Sequence, residues 1–156
     1  MILLTRVDHR LLHGQVAVSW TSTLGADCIL IANDELMVNE LKKTTIKLAK
    51  PSGVKLVIKS IEDSIVALRS GVTDKYKLFI VVESIVDAAR IAENVPGVKQ
   101  INLGGIKASE GTKNISKAIN ISEKEEELIR KMVSDGVEVE IRQVPGDKKI
   151  KAISVL

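Results

Sequence analysis

Short apolar runs and amphipathic stretches take turns along the chain, punctuated by glycine, proline and polar caps. Ile2–Val7 reads as a first strand. A polar loop, Asp8–Gly14, follows it, and Gln15–Leu24 predicts a helix that Gly25 ends. Cys28–Ala32 (CILIA) and Lys55–Lys59 (KLVIK) read as strands. Between them Asn33 or Asp34 is placed to cap a helix over Glu35–Ala49, which Pro51 and Gly53 break. Ser60 with Asp63 has the spacing of a capping box opening Ile61–Arg69. The rhythm then repeats, with a strand over Lys77–Val82, a Ser84-capped helix over Ile85–Asn94, and a strand over Lys99–Leu103 that runs into Gly104-Gly105. Ala118–Ile121 predicts a short strand, and Ser122-x-x-Glu125 opens a helix over Glu123–Ser134. Val137–Gln143 alternates apolar and polar positions, the pattern of an edge strand. Pro145-Gly146-Asp147 is a turn before a last strand or a docked tail.

Strands alternating with helices at this spacing predict an α/β sandwich with a mostly parallel sheet. The nearly continuous apolar strands suit a sheet covered on both faces. Ligands of such sheets sit beyond the carboxyl ends of the strands, near a topological switch. That singles out the loops Asp8–Gly14, Asn33–Glu35, Glu83–Ser84 and Gly104–Ser116.

A chain of 156 residues makes about one domain, here 1–156, and needs no disulfide or metal staple. With 45% hydrophobic and 28% charged residues, it is neither disordered, collagenous nor a disulfide scaffold. No apolar run approaches the ~20 residues of a membrane span. The opening MILLTRVDHR lacks the apolar stretch of a secretion signal, so the expected location is the cytoplasm, with which the single Cys28 agrees. The net charge of +3 is spread along the chain, and Trp20, Tyr76 and Phe79 are its only aromatic residues. A stacking platform for nucleic acid is therefore not expected. Cys28 and Trp20 read as core residues.

Both histidines, His9 and His13, fall in the first loop, within the stretch Arg6-Val7-Asp8-His9-Arg10-Leu11-Leu12-His13-Gly14-Gln15. An imidazole is a neutral nucleophile near neutral pH and can carry a phosphoryl group through a labile P–N bond. Arginine matches phosphate oxygens in a fork, glycine admits close backbone approach, and a helix N-terminus offers free N–H groups. The pattern leaves a rival: Asp8, His9 and His13 as ligands of a hydrolytic metal. Gly14 and the strand before the loop speak against the helix that would put the two imidazoles on one face. Gly104-Gly105 resembles an anion-binding turn. Lys107–Lys117 reads as a solvated loop. The residues themselves leave these alternatives open.

RVDHRLLHGQV, Arg6–Val16, resembles the active-site signature of IIB components of the bacterial phosphoenolpyruvate-dependent sugar phosphotransferase system. The branch is the mannose/fructose/sorbose/N-acetylgalactosamine one, with a signature close to R-[IV]-D-x-R-L-[IL]-H-G-Q-V. The likeness continues through Ala32-Asn33-Asp34-Glu35, Pro51-x-Gly53-Val54, Asn102-Leu103-Gly104-Gly105, Gly111–Ile121 and Gly136–Pro145. Leu103 and Ile106 replace the usual Val and Met, and Ser19-Trp20-Thr21 lies nearer the galactosamine type. The resemblance implies a three-layer α/β/α sandwich. It implies that His13 is phosphorylated on Nδ1 by a IIA phosphohistidine, and that the phosphoryl group passes to a sugar held by a membrane IIC/IID complex. Arg6, Asp8, Arg10, Gly14, Gln15, Asn33 and Asp34 would bind phosphate or support the loop. His9, at the variable position, has no assigned role. No cofactor or metal is required, and IIA is expected as a separate polypeptide. A relative that binds a phosphocarrier without turning over sugar is the remaining alternative.

Overall fold

A computed structural model describes residues 1–156. The chain runs β1 (Ile2–Asp8), α1 (Gly14–Leu24), β2 (Cys28–Ala32), α2 (Glu40–Leu48), β3 (Lys55–Lys59), α3 (Ile61–Ser70), β4 (Leu78–Val82) and α4 (Ile85–Asn94). It continues with β5 (Gln100–Gly105), the hairpin β6 (Lys113–Ser116) and β7 (Ile119–Ile121), then α5 (Glu123–Ser134), β8 (Glu138–Ile141) and β9 (Ile150–Lys151). Seven strands form one sheet in the order β3-β2-β4-β1-β5-β8-β9, parallel except where β9 turns back against β8. The α/β fold class read from the sequence is what the structure shows. No helix is long and apolar enough to cross a membrane.

Two apolar cores explain why the strands pair as they do. On one face Leu4, Ile29, Ile31, Phe79 and Val81 meet Ala17 and Trp20 of α1, Leu36, and Ile46 of α2. On the other, Val7, Leu30, Ile80, Ile101, Leu103, Val139 and Ile141 meet the apolar faces of α3, α4 and α5. Residues alternate between the two faces along each strand, so β1 sends Leu4, Arg6 and Asp8 to the α1 side and Val7 to the other. The result is the three-layer arrangement.

From β1 the chain leaves through α1 to β2, beyond β4, on one face. From β5 it leaves through α5 to β8, on the opposite side and the opposite face. The ends of β1 and β5 therefore flank the switch point, where connections diverge and a crevice opens.

Three expectations change. The helix foreseen over Glu35–Ala49 is split: Glu35–Met37 is a single 3-10 turn, and the helix restarts at Glu40. The Asn39 side chain accepts the amide of Lys42 and so caps a new N-terminus inside the run. Val137–Gln143 is not at the sheet edge, because the two-residue β9 lies outside β8. Its alternation has another cause, since Glu140 is buried rather than solvated. The solvated loop Lys107–Lys117 contains a strand, β6, which folds onto β7 through Ala118 at a left-handed φ of 71°. The tail is both a strand and a 3-10 turn, Ala152–Val155, docked through buried Ala152.

Replacing Asn39 by Ala should cost about 1 kcal/mol by removing the cap. For a chain of this size that lowers the thermal midpoint by about 2–4 °C, measurable by circular dichroism. An unchanged midpoint would mean that packing of Ile46 alone holds α2.

Candidate functional site

Beyond the end of β1 the backbone turns sharply. The Leu11 amide donates to the Asp8 carbonyl (2.8 Å), and Asp8 Oδ1 accepts the Arg10 amide (3.0 Å), so the aspartate shapes the turn with both backbone and side chain. The His9 amide donates to the Gly105 carbonyl (2.9 Å) and ties the turn to β5. Leu11 sits at φ 59° and buries its side chain, a conformation that costs a bulky residue about 1–2 kcal/mol. Gly14 follows at φ 44° and opens α1.

His13 occupies the N-cap position of α1. Its Nδ1 lies 3.1 Å from the Leu11 carbonyl oxygen. A carbonyl only accepts, so Nδ1 carries a proton, and in the neutral ring the lone pair is then on Nε2. Nε2 is shielded from solvent and has no partner. α1 also differs from the other four helices: its first turn has no acidic residue and its N-cap side chain makes no capping bond. The others each have an Asn or Ser cap and at least one acid in the first turn. The amides at the start of α1 thus face the loop with no negative side chain upon them.

Under the loop lies a buried ion pair. Arg6 donates from one terminal nitrogen to Asp8 Oδ2 (3.1 Å) and from the other to Asn102 Oδ1 (2.7 Å) and the Arg142 carbonyl (3.2 Å). Burial pulls the Arg6 guanidinium below its ordinary range, and the Asp8 carboxylate opposes that pull. Arg10 also reaches Asp8, through Nε to Oδ1 at 3.3 Å. The two arginines differ in access: the Arg6 side chain is 3% exposed and that of Arg10 is 49% exposed. The Arg10 terminal nitrogens are therefore the ones that can meet an incoming anion.

The paired glycines make room for these groups. A Cβ on Gly104 would stand 2.1 Å from Arg6 Cζ, and one on Gly105 would stand 3.2 Å from Asp8 Oδ1. They accommodate the ion pair.

Other sequence candidates scatter. Gln15 lies exposed on the first turn of α1. Asn33 accepts the Leu36 amide and donates to Glu83, while Asp34 accepts the Ile61 amide (2.9 Å). Neither bonds to the His13 loop, because β4 lies between β2 and β1. The metal set is not assembled either: both Asp8 oxygens are taken by arginines, and His9 Nδ1 is 4.0 Å from the nearer one. No group of three or more His, Cys, Asp or Glu side chains is placed to hold a metal ion. Sequence reasoning missed Glu140 and Arg142; their signal was a charged residue recurring in an otherwise apolar strand.

The family model for the PTS system sorbose subfamily IIB component matches residues 2–156. The chain belongs to that family. A probable phosphotransferase enzyme IIB component of Streptococcus pyogenes is 43% identical over 106 residues, covering 68% of this chain and 65% of that protein. The mannose-specific EIIAB component of Escherichia coli is 27% identical over the whole chain, which spans only 48% of its length. This IIB chain thus spans less than two thirds of both relatives. The crystal structure of the N-acetylgalactosamine-specific IIB component 1 from Escherichia coli superposes with a TM-score of 0.90 at 30% identity, covering 97% of this chain and 99% of that one.

Gly104→Ala should destabilise this IIB fold by about 3 kcal/mol, because the new methyl collides with a guanidinium that cannot leave. Denaturant unfolding would measure it. A loss below about 1 kcal/mol would mean that Arg6 moves aside freely.

Proposed function

We propose that the protein is a phosphocarrier: His13 accepts a phosphoryl group from the phosphohistidine of a IIA protein and passes it to a sugar bound by a membrane IIC/IID complex. The observation that carries this reading is the placement of His13 at the uncapped, acid-free start of α1, in the same loop as the half-exposed side chain of Arg10. Both the sequence signature and the relatives' names agree with it.

In the transfer step the P–N bond to the donor imidazole breaks as the bond to His13 forms, and the electron pair stays with the donor. A receiving Nδ1 must bring a lone pair, with the ring proton on Nε2. The resting ring holds the opposite tautomer against the Leu11 carbonyl. Acceptance therefore requires the ring to leave Leu11 and shift its proton. Phosphorylation then adds about −1.5 to −2 charge, by analogy with phosphate esters. The α1 amides and Arg10 offset that charge, while Arg6, occupied on both terminal nitrogens, holds Asp8 and the turn in place. Catalysis is then mostly positioning and electrostatics. Asn33 and Asp34 act at most through the neighbouring loops.

The test is label transfer from phosphoenolpyruvate through the general phosphorelay proteins and IIA. His13→Ala should abolish acid-labile labelling while the protein stays folded, and His9→Ala should retain it. The reverse pattern would overturn the assignment. Arg10→Ala should slow labelling roughly ten- to a hundredfold, as loss of an anion-stabilising donor does. A wild-type rate would remove Arg10 from the phosphoryl site.

A further inference from the structure

The buried polar groups on the α1 side of the sheet form one row. Arg6 of β1 lies opposite Asn102 of β5, and Asn102 lies opposite Glu140 of β8. Glu140, fully buried, accepts from Arg142 on both oxygens, Oε2 from Nε at 3.0 Å and Oε1 from a terminal nitrogen at 3.0 Å. The same Oε1 accepts from Asn102 Nδ2 at 3.0 Å, and Asn102 Oδ1 accepts from Arg6 at 2.7 Å. Arg6 holds Asp8, the Asp8 carbonyl holds the Leu11 amide, and the Leu11 carbonyl holds His13 Nδ1. An unbroken hydrogen-bonded path therefore runs from β8 to the imidazole. Trp20 closes it from the side of α1. Both guanidinium carbons lie just over 5 Å from its ring centroid, and its Nε1 donates to the Gln143 carbonyl at 3.0 Å.

The charges along the path are two guanidiniums and two carboxylates. Arg6 has a single carboxylate partner, Asp8, which it shares with Arg10. Asp8 serves both at once, Oδ2 for Arg6 and Oδ1 for Arg10, and Glu140 helps hold Arg6 from its other side through Asn102. Two arrangements of such a row differ by discrete hydrogen bonds, the kind of element through which distant sites couple.

We propose that Glu140 and Arg142 are positioning residues for His13: they fix Arg6, and through Arg6 and Asp8 they fix the turn whose Leu11 carbonyl selects the ring tautomer. The kinetic part of this inference rests on the reading of His13 as phosphoryl acceptor, but the tautomer part does not.

The experiment is Glu140→Gln in the full chain, read by 15N NMR of the histidine side chains and by the kinetics of phosphoryl acceptance from phosphorylated IIA. In the native protein His13 Nδ1 should report the protonated position and Nε2 the lone-pair position. In E140Q the two signals should move toward each other, and kcat should fall roughly three- to thirtyfold with KM for the donor little changed. The E140Q/R142Q double variant, which leaves no unpaired buried charge, should behave likewise if E140Q alone folds poorly. Glu138→Gln, which removes the half-exposed pair between Glu138 of the same strand and Lys149, is the control and should shift neither readout. The proposal is overturned if E140Q and the double variant keep the native His13 signals, or if the rate falls only with the folded fraction. If the tautomer shifts in E140Q yet His13→Ala still takes up acid-labile label, the positioning holds and the phosphoacceptor reading fails.

Discussion

A guanidinium cut off from water is costly unless its charge and its donors are matched. Arg6 meets most of that requirement with Asp8 for the charge and with Asn102 and the Arg142 carbonyl for its other terminal nitrogen, while its Nε is left without a partner. The central strand of the sheet therefore ends in a fixed pair of opposite charges rather than in another apolar residue. The loop beyond it inherits its shape from that pair. The Asp8 carboxylate accepts from the Arg10 side chain and amide, and its backbone carbonyl accepts the Leu11 amide, so moving the carboxylate would strip the turn that carries His13 of its side-chain bonds. The α1 face of the sheet is thus divided. Its β3-β2-β4 side is an ordinary apolar core, its β1-β5-β8 side is a charge-balanced polar layer, and Trp20 stands at the seam.

Rigidity below the loop contrasts with tension inside it. Leu11 occupies a backbone region that suits glycine, and His13 rests with its proton on one carbonyl and its lone pair walled off. Strain of this kind persists only where the surroundings over-determine it. Here the surroundings are the Asp8 turn on one side and the apolar packing of Leu11 and Leu12 on the other. An imidazole in that setting has one nitrogen bonded to backbone and the other shielded from solvent.

Much of this was readable from the order of residues. Each apolar run in the sheet core became a strand, because a strand buried on both faces has no polar alternation to obscure it. Capping residues placed the starts of α3, α4 and α5 to the residue, since a side-chain oxygen three positions ahead of an unpaired amide is a local device. The titratable cluster was legible because it is contiguous. What escaped depended on strand order. Asn33 and Asp34 looked like neighbours of the first loop, yet the strand next in sequence is not the strand next in space. Val137–Gln143 looked like an edge strand because alternation in a strand normally means one wet face. Only the register that sets Glu140 beside Asn102 reveals a buried acid with two partners. Asn39 was hidden for the opposite reason: a cap inside an otherwise helical run looks like one more polar position.

The space that Gly104 leaves is filled by an atom group from another strand, so positions 6 and 104 share a single volume. Neither can drift alone. A side chain gained at 104 collides with the guanidinium, and a smaller residue at 6 opens a void beneath the His13 loop. A paired exchange is the least costly route from this arrangement to another. Such an exchange would leave its mark as two positions, nearly a hundred residues apart, that change in the same lineage or not at all.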